Sequence, residues 1–218
     1  MEEKEKFNWL QWVPSIISAI GVIVVGWFTY NQEVHNKMAD FKLEQMKSEQ
    51  IYQMNLSNEL EAKINGYLWR LLENLDCQRV FITQAHPTKD PRYISVTYEV
   101  KRAGVSPIKS SFKDIPMSDI PLTAEVFSNS NKIDKNTEYL HIPNVNDSEY
   151  LDDYTKSIFR MNGINELVVI KLVDSRNVWA GNLICSHDED RHFSVEAIGA
   201  DLLKTSRDIQ YLLPNYNP

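Results

Sequence analysis

The chain has 218 residues, which is enough for one domain of ordinary size and a short additional segment. Its 30 acidic residues outnumber its 23 Lys and Arg residues, so the net charge is −7 and no nucleic-acid partner is expected. The two cysteines, Cys77 and Cys185, lack the spacing of a metal site or a redox motif, so buried free thiols and a disulfide both stay open.

An uncharged stretch extends from Phe7 to Gln32. A transmembrane helix needs about 20 mostly apolar residues. Aromatic residues lie near both ends of the stretch, about 31 Å apart at about 1.5 Å per helical residue, which matches the separation of the two membrane interfaces. They are Trp9, Trp12, Trp27 and Tyr30. We therefore predict a tail at 1–8 and a transmembrane helix at 9–30, which places the chain in the lipid bilayer of the inner membrane as a single-pass protein.

Two alternatives to an uncleaved anchor are a signal peptide and a buried helix. A signal peptide begins with a basic region and ends at small residues, whereas this start is slightly acidic and bulky residues follow the apolar run. A buried helix would not need aromatic residues at both ends. Lys4 and Lys6 before the stretch nearly balance Lys37 and Lys42 after it, so the positive-inside rule leaves the orientation open.

Within the predicted span, Ser15, Ala19 and Gly26 fall roughly on one helical face. Small residues let membrane helices approach closely, so this face predicts self-association, with ordinary residue usage as the alternative. Residues 31–55 contain no Gly or Pro and are rich in Gln, Glu, Lys and Met, which predicts a polar helical stalk. Their apolar repeat is too interrupted to predict a coiled coil.

From residue 56 the pattern predicts a folded domain at 56–213, followed by a tail at 214–218. The predicted elements are a helix at 56–75, strands at 79–84 and 93–100, a loop at 102–121, a helix at 122–129, a strand at 139–142, a helix at 149–161, strands at 166–173 and 178–186, and a helix from 194. Alternation in the second strand predicts that Ile94, Val96, Tyr98 and Val100 share one face. The order predicts an α+β domain with a mainly antiparallel sheet, whose first and last helices pack together on one face.

The sequence contains no phosphate-binding glycine loop, nucleophile elbow or His-Glu-x-x-His motif, so no enzyme, cofactor or metal ion is predicted. The densest polar cluster is 186–192, where His187 and His192 with three acidic residues could hold a divalent metal. A solvated turn before a helix explains the same cluster. His86 and His141 lie beside prolines and have no evident partners. The aromatic residues that could either line a pocket or fill the core are Tyr93, Tyr98, Tyr139 and Trp179.

The order of elements after residue 56 resembles the GAF/PAS-type sensory fold. The runs 167–173 and 178–184 resemble the two central strands of that fold. The Asn-Lys-x-Asp-Glu signature of cyclic-nucleotide GAF domains is absent, so the resemblance does not extend to cyclic-nucleotide binding. It implies a membrane-anchored sensor, or a module that binds a ligand or a protein.

The layout is also similar to that of the holins of T-even bacteriophages, which combine one N-terminal span with one α/β domain outside the cytoplasm. The residues that carry this resemblance are Asn177-Val178-Trp179-Ala180-Gly181, a charged turn at 187–191 and a terminal helix at 194–213. The resemblance implies an extracytoplasmic domain, an antiholin partner and oligomers that form lesions in the inner membrane during phage lysis. The main hypothesis is therefore a holin-like protein, and the alternative is the GAF-like module.

Overall fold

The computed structural model describes residues 13–87, 90–133, 138–174, 176–188 and 192–213; for residues 13, 15–17, 19 and 195–197 only the backbone is described. The elements in chain order are α1 (Val13–Asn74), β1 (Arg79–His86), β2 (Tyr93–Lys101), β3 (Ile115–Pro116), α2 (Pro121–Ile133), β4 (Leu140–Ile142), α3 (Asp153–Met161), β5 (Glu166–Val173), β6 (Trp179–His187) and α4 (Val195–Gln210). The described residues form two units, which divide between Ser57 and Asn58.

The first unit is the part of α1 that precedes Asn58. Its Trp27 and Tyr30 side chains are 59% and 66% exposed, respectively. Trp9 and Trp12 lie outside the described residues, as do the side chains of Ser15 and Ala19. Gly26 is helical, and nothing would lie within 4 Å of a Cβ added to it. In the described part of the chain, no helix combines the length and the apolar character that a membrane span requires.

The second unit is built on one six-stranded sheet with the strand order β3-β2-β1-β6-β5-β4. Every neighbouring pair is antiparallel, which confirms the predicted α+β domain with a mainly antiparallel sheet. All eight residues of β1 are buried, because this strand is paired on both sides and covered on both faces.

A β-bulge in β2 makes the prediction of one apolar face wrong. The residue pairs are Ile82 with Tyr98 and Thr83 with Val96, so Thr97 is the extra residue. Because of this insertion, Ile94 and Val96 pack in one core cluster, while Val100 and Tyr98 pack in the cluster on the opposite face. Strict alternation cannot reveal such a residue, since the insertion reverses the face of everything beyond it.

Two apolar clusters cover the two faces of the sheet. On one face, Ile64 and Leu68 of α1 pack with Ile198 and Leu202 of α4, which confirms that the first and last helices share a face. The other face is covered by α2, α3 and the segment 102–120. The predicted loop at 102–121 thus contributes to the core and contains the short strand β3.

Two helix boundaries differ from the prediction. The helix predicted at 149–161 begins only at Asp153, because Asp152 is extended and its backbone N–H donates to Thr123 Oγ1 at 3.0 Å. In return, Asp152 Oδ2 accepts the Thr123 backbone N–H at 2.8 Å, so α2 and α3 cap one another. The helix predicted at 122–129 continues to Ile133, and the Asn129 side chain donates to Glu125 O within it.

A buried ion pair fixes the segment between β2 and β3. Arg79 Nε lies 3.1 Å from Glu99 Oε1, and the two side chains are 1% and 6% exposed. The Arg79 guanidinium also donates to Asn162 O at 3.0 Å and to Ser106 O. Burial lowers the pKa of Arg79, although the neighbouring Glu99 carboxylate partly offsets this shift.

Glu99 links the same pair to the backbone of the loop. Its Oε1 accepts the Ile108 N–H at 2.9 Å, and its Oε2 accepts the Lys109 N–H at 3.1 Å. Charge-assisted bonds of this kind are stronger than neutral ones. The ion pair therefore joins β1, β2, the loop and the end of α3.

Replacing Glu99 tests this link. The Glu99→Gln variant leaves the Arg79 charge buried without its partner, so we expect the free energy of unfolding to fall by about 3–5 kcal/mol. The measurement is urea denaturation of the full chain. As a control, Glu125→Gln removes an exposed carboxylate from α2 and should change the stability by less than about 0.5 kcal/mol. If Glu99→Gln and Glu125→Gln changed the free energy of unfolding equally, the role of Glu99 as the buried partner of Arg79 would be contradicted.

Gly181 of β6 allows a close approach to β1. Its φ is +155°, and an added Cβ would lie 1.9 Å from Thr83 O. We expect Gly181→Ala to lower the free energy of unfolding by about 2 kcal/mol or more, because the two central strands must separate. Gly66→Ala is the matched control, since nothing lies within 4 Å of its added Cβ. In helix α1 that change should stabilise by up to about 1 kcal/mol in the same denaturation experiment.

Candidate functional site

The sheet face under α2 and α3 is filled by apolar side chains. Phe81, Phe112, Phe127 and Phe159 are each 0% exposed in this cluster. The Phe112 and Phe159 rings stack with their centroids 5.9 Å apart. Polar anchors support the packing, since Asn182 Nδ2 of β6 donates to Phe127 O at 2.8 Å. A ligand could enter this face only by displacing closely packed aromatic groups.

A polar cluster lies instead at the hairpin end of β1 and β2. His86 ends β1, and Ser95 lies in β2 with 1% of its area exposed. His86 Nε2 lies 3.0 Å from Ser95 Oγ and 3.4 Å from Asp114 Oδ1. Ser95 Oγ donates to Asp114 Oδ1 at 3.1 Å and accepts the Asp114 backbone N–H at 2.7 Å. These contacts fix the orientation of the Asp114 carboxylate.

The geometry of this cluster differs from that of a Ser-His-Asp catalytic triad. In a triad the acid orients one imidazole nitrogen while the other nitrogen activates the serine. Here Ser95 and Asp114 both approach the same Nε2 of His86. Moreover, the Ser95 hydroxyl is buried and already bonded to Asp114, so it is not presented to a substrate. The cluster holds a carboxylate in place rather than activating a nucleophile.

His86 is a neutral group in this setting. Its side chain is 2% exposed, and burial lowers the pKa of the imidazole, whereas the nearby Asp114 carboxylate raises it by a smaller amount. At pH 7 the imidazole is therefore mainly uncharged, because even the ordinary pKa of His is about 6.5. The charge of Asp114 is thus not cancelled by His86.

A cavity of about 380 Å³ opens beside this cluster, and the described residues that line it are His86, Pro87, Tyr93 and Asp114. The Tyr93 ring stacks on the His86 ring with a centroid distance of 5.7 Å and an interplanar angle of 22°. Tyr93 is 40% exposed, and the Asp114 side chain is 49% exposed. The cavity therefore offers a flat aromatic surface and a carboxylate to an incoming molecule.

A second polar cluster surrounds Glu166 on β5. Its side chain is 3% exposed, with Oε1 at 2.6 Å from His141 Nε2 and Oε2 at 2.9 Å from His192 Nδ1. The Phe193 backbone N–H also donates to Oε2 at 3.3 Å. Glu166 thereby ties β4 and the start of the segment before α4 to β5. An open cavity of about 280 Å³ adjoins His141 and is otherwise lined by the segment 142–150.

The structure gives no support to a metal at His187 and His192. His192 pairs with Glu166, while the His187 ring packs on Phe193 at a centroid distance of 4.3 Å. Across the described ranges, no three His, Cys, Asp or Glu side chains are placed to hold a metal ion. Residues 189–191, which carry two of the acidic side chains in that hypothesis, lie outside the described residues.

The cysteines are both buried free thiols, with Cys77 after α1 and Cys185 in β6. Burial raises the pKa of the Cys185 thiol well above its ordinary value, and the contact with Cys77 raises it further. They lie in the cluster beneath α1 and α4 rather than beside the cavity.

The predicted site residues that the structure describes belong to the first unit, whereas both polar clusters lie in the second unit. Ser15, Ala19, Gly26, Trp27 and Tyr30 belong to the first unit. No partners for His86 and His141 are evident from the sequence, and the structure places His86 beside Asp114 and His141 beside Glu166. Tyr93 lines the cavity, which is one of the two roles that its sequence left open.

Comparison with known proteins finds no matching family model and no matching curated protein. Solved structures do match. The third GAF domain of a Synechocystis sp. protein has a TM-score of 0.51 and 17% identity, covering 69% of this chain and 90% of that chain. The PixJ GAF domain of Thermosynechococcus elongatus has a TM-score of 0.52 and 14% identity, and the match covers 70% of this chain and 88% of that chain. A phycocyanobilin-bound GAF domain of a cyanobacterial phytochrome has a TM-score of 0.52 and 18% identity, and the match covers 72% of this chain and 86% of that chain.

These identities are low enough that the likeness concerns the fold alone. The resemblance to GAF domains is confirmed at that level, whereas no comparison supports the resemblance to holins. The globular domain of the chain, which begins at Asn58, has a GAF-like fold.

Proposed function

We propose that this chain is a sensory binding module, in which the GAF-like domain takes up a small molecule. The observation that carries the proposal is the GAF-like fold of the domain that begins at Asn58. One of the matched GAF domains is described as bound to phycocyanobilin, and another as a blue-light absorbing form. The proposal takes from these proteins only the general role of small-molecule binding, because a shared fold does not carry a particular ligand with it.

The absence of catalysis remains a prediction that accompanies this proposal. The Ser95, His86 and Asp114 side chains are the arrangement most similar to a catalytic group, and their geometry favours holding the carboxylate. No observation on the fold or the comparisons favours the holin hypothesis, so it is not carried further as a function. The antiholin partner that this hypothesis implied is not carried further either.

We further propose that the N-terminal unit attaches the module to a membrane. Its support is the uncharged sequence from Phe7 to Gln32 and the aromatic residues near the ends of that stretch. Self-association through Ser15, Ala19 and Gly26 is part of this proposal. The side of the membrane on which the GAF-like domain lies is open.

The binding role is tested by looking for a molecule that accompanies the protein. Full-length chain is purified in mild detergent, and native mass spectrometry compares its mass with that of the denatured polypeptide. We expect an additional non-covalent mass and a rise in the melting temperature when the released compound is added back, because a ligand that binds only the folded state stabilises it. A chain that carries no such mass, and that no compound in a metabolite set stabilises, would sink the proposal.

Membrane attachment is tested by washing membranes with alkaline carbonate. We expect the full chain to stay in the pellet and the Val22→Lys/Val25→Lys variant to be released. The reason is that each Lys near the centre of a span costs about 2.5–3.5 kcal/mol of insertion free energy. The matched control is Met38→Lys/Met46→Lys, which places the same charges in the predicted stalk and should leave the protein in the pellet. Release of the unsubstituted chain would contradict this part of the proposal.

A further inference from the structure

The cavity at the hairpin end is large enough for a ring with a substituent. Its volume is about 380 Å³. An engineered apolar cavity of about 150 Å³ is enough to hold benzene. The Tyr93 ring lines the cavity and is stacked with the His86 ring, and Pro87 also lines it. A flat group can therefore lie against an aromatic surface that is already held in position.

The charge of the described residues in the lining is negative. Asp114 contributes a half-exposed carboxylate whose Oδ1 is fixed by Ser95. The lowered pKa of His86 leaves the imidazole neutral, so it does not balance this charge. Arg92 lies in the connection between β1 and β2, but its guanidinium is bound to Asp90 Oδ2 at 2.7 and 2.9 Å. Among the described residues that line the cavity, the carboxylate of Asp114 is thus the charged group that a ligand meets.

The position of Asp114 also depends on features that are independent of any ligand. Its φ of 51° lies in the left-handed region, which Asp tolerates better than most residues do. The next residue, Ile115, pairs with Ile94 in the sheet. The carboxylate is therefore pre-positioned at the end of an anchored loop, which lowers the entropic cost of binding.

We propose that the His86–Tyr93–Asp114 cavity binds a flat organic cation, with an amidinium or protonated amine on Asp114 and its ring on Tyr93. An amidinium matches a carboxylate through two parallel hydrogen bonds, as a guanidinium does. A cation also gains from the negative face of an aromatic ring. The inference rests on the proposed function, since it names the ligand class of the binding module.

The test uses benzamidine as the probe and the full chain in detergent micelles. Calorimetric titration and the fluorescence of p-aminobenzamidine report binding, and benzoate serves as a flat anion of the same size. We expect both cations to bind and benzoate not to bind. The Asp114→Asn variant should bind benzamidine at least 10-fold more weakly, because Asn keeps the left-handed backbone and the shape but loses the charge. Asp119→Asn, which neutralises an exposed acid in the turn after β3, should bind like the unsubstituted chain.

A second variant, Tyr93→Leu, separates the ring from the charge. It should weaken benzamidine binding several-fold while methylammonium, which lacks a ring, is affected less. Circular dichroism of each variant shows whether it is folded. The inference is overturned if benzamidine does not bind, or if Asp114→Asn binds it as tightly as the unsubstituted chain. The inference about this cavity is also overturned if the folded Asp114→Asn variant retains a co-purifying molecule. In that case the protein still binds a small molecule, so the proposed function stands.

Discussion

The buried pair of Arg79 and Glu99 is the constraint on which the rest of the domain depends. The Arg79 and Glu99 side chains are both buried. Arg79 also donates to a backbone carbonyl at the end of α3, and Glu99 accepts backbone N–H groups of the loop after β2. A buried ion pair contributes little net stability, but removing one partner is costly. The arrangement therefore specifies which loop and which helix end must lie on this face of the sheet. The segment after β2 is anchored through the backbone groups of Ser106, Ile108 and Lys109.

Two consequences follow from the position of this loop. Ile108 and Phe112 enter the apolar cluster under α2 and α3, so this face of the sheet is filled from within the chain. Beyond them, Asp114 reaches the hairpin end of β1 and β2, where Ser95 and His86 receive it. The same loop thus helps α2 and α3 to fill the face of the sheet and supplies a carboxylate to the cavity at the hairpin end. The proposed ligand site and the filled core have the same physical origin.

The sequence predicted the elements whose side chains follow a regular period. The strand at 166–173 matches β5 at both ends, and the helix predicted to end at 161 ends there as α3, two residues before Gly163 with its φ of +69°. The turn in which Ile164 N–H donates to Phe159 O at 2.9 Å explains this ending. The packing of α1 against α4 was also predictable, because each helix carries a single apolar stripe.

The bulge and the candidate site could not be predicted in the same way. The extra residue Thr97 leaves no local signal, since each half of β2 alternates normally. The partners His86 and Asp114 are far apart in the sequence and meet because the loop that carries Asp114 is anchored by the Arg79–Glu99 pair, by Ser95 and by the pairing of Ile115 with Ile94. A histidine beside a proline and an acid in a polar loop are common, so neither residue alone indicates a cavity. Long-range contacts of this kind require the fold to be known.

The proposed ligand binds at the hairpin end, whereas the face under α2 and α3 is closed by apolar side chains. A crystal structure of the protein grown with benzamidine tests this claim most directly. We predict density for the probe between Tyr93 and Asp114, with Phe81 and Phe112 unmoved. Density for the probe between the sheet and α2 or α3, with these phenylalanine rings displaced, would contradict it.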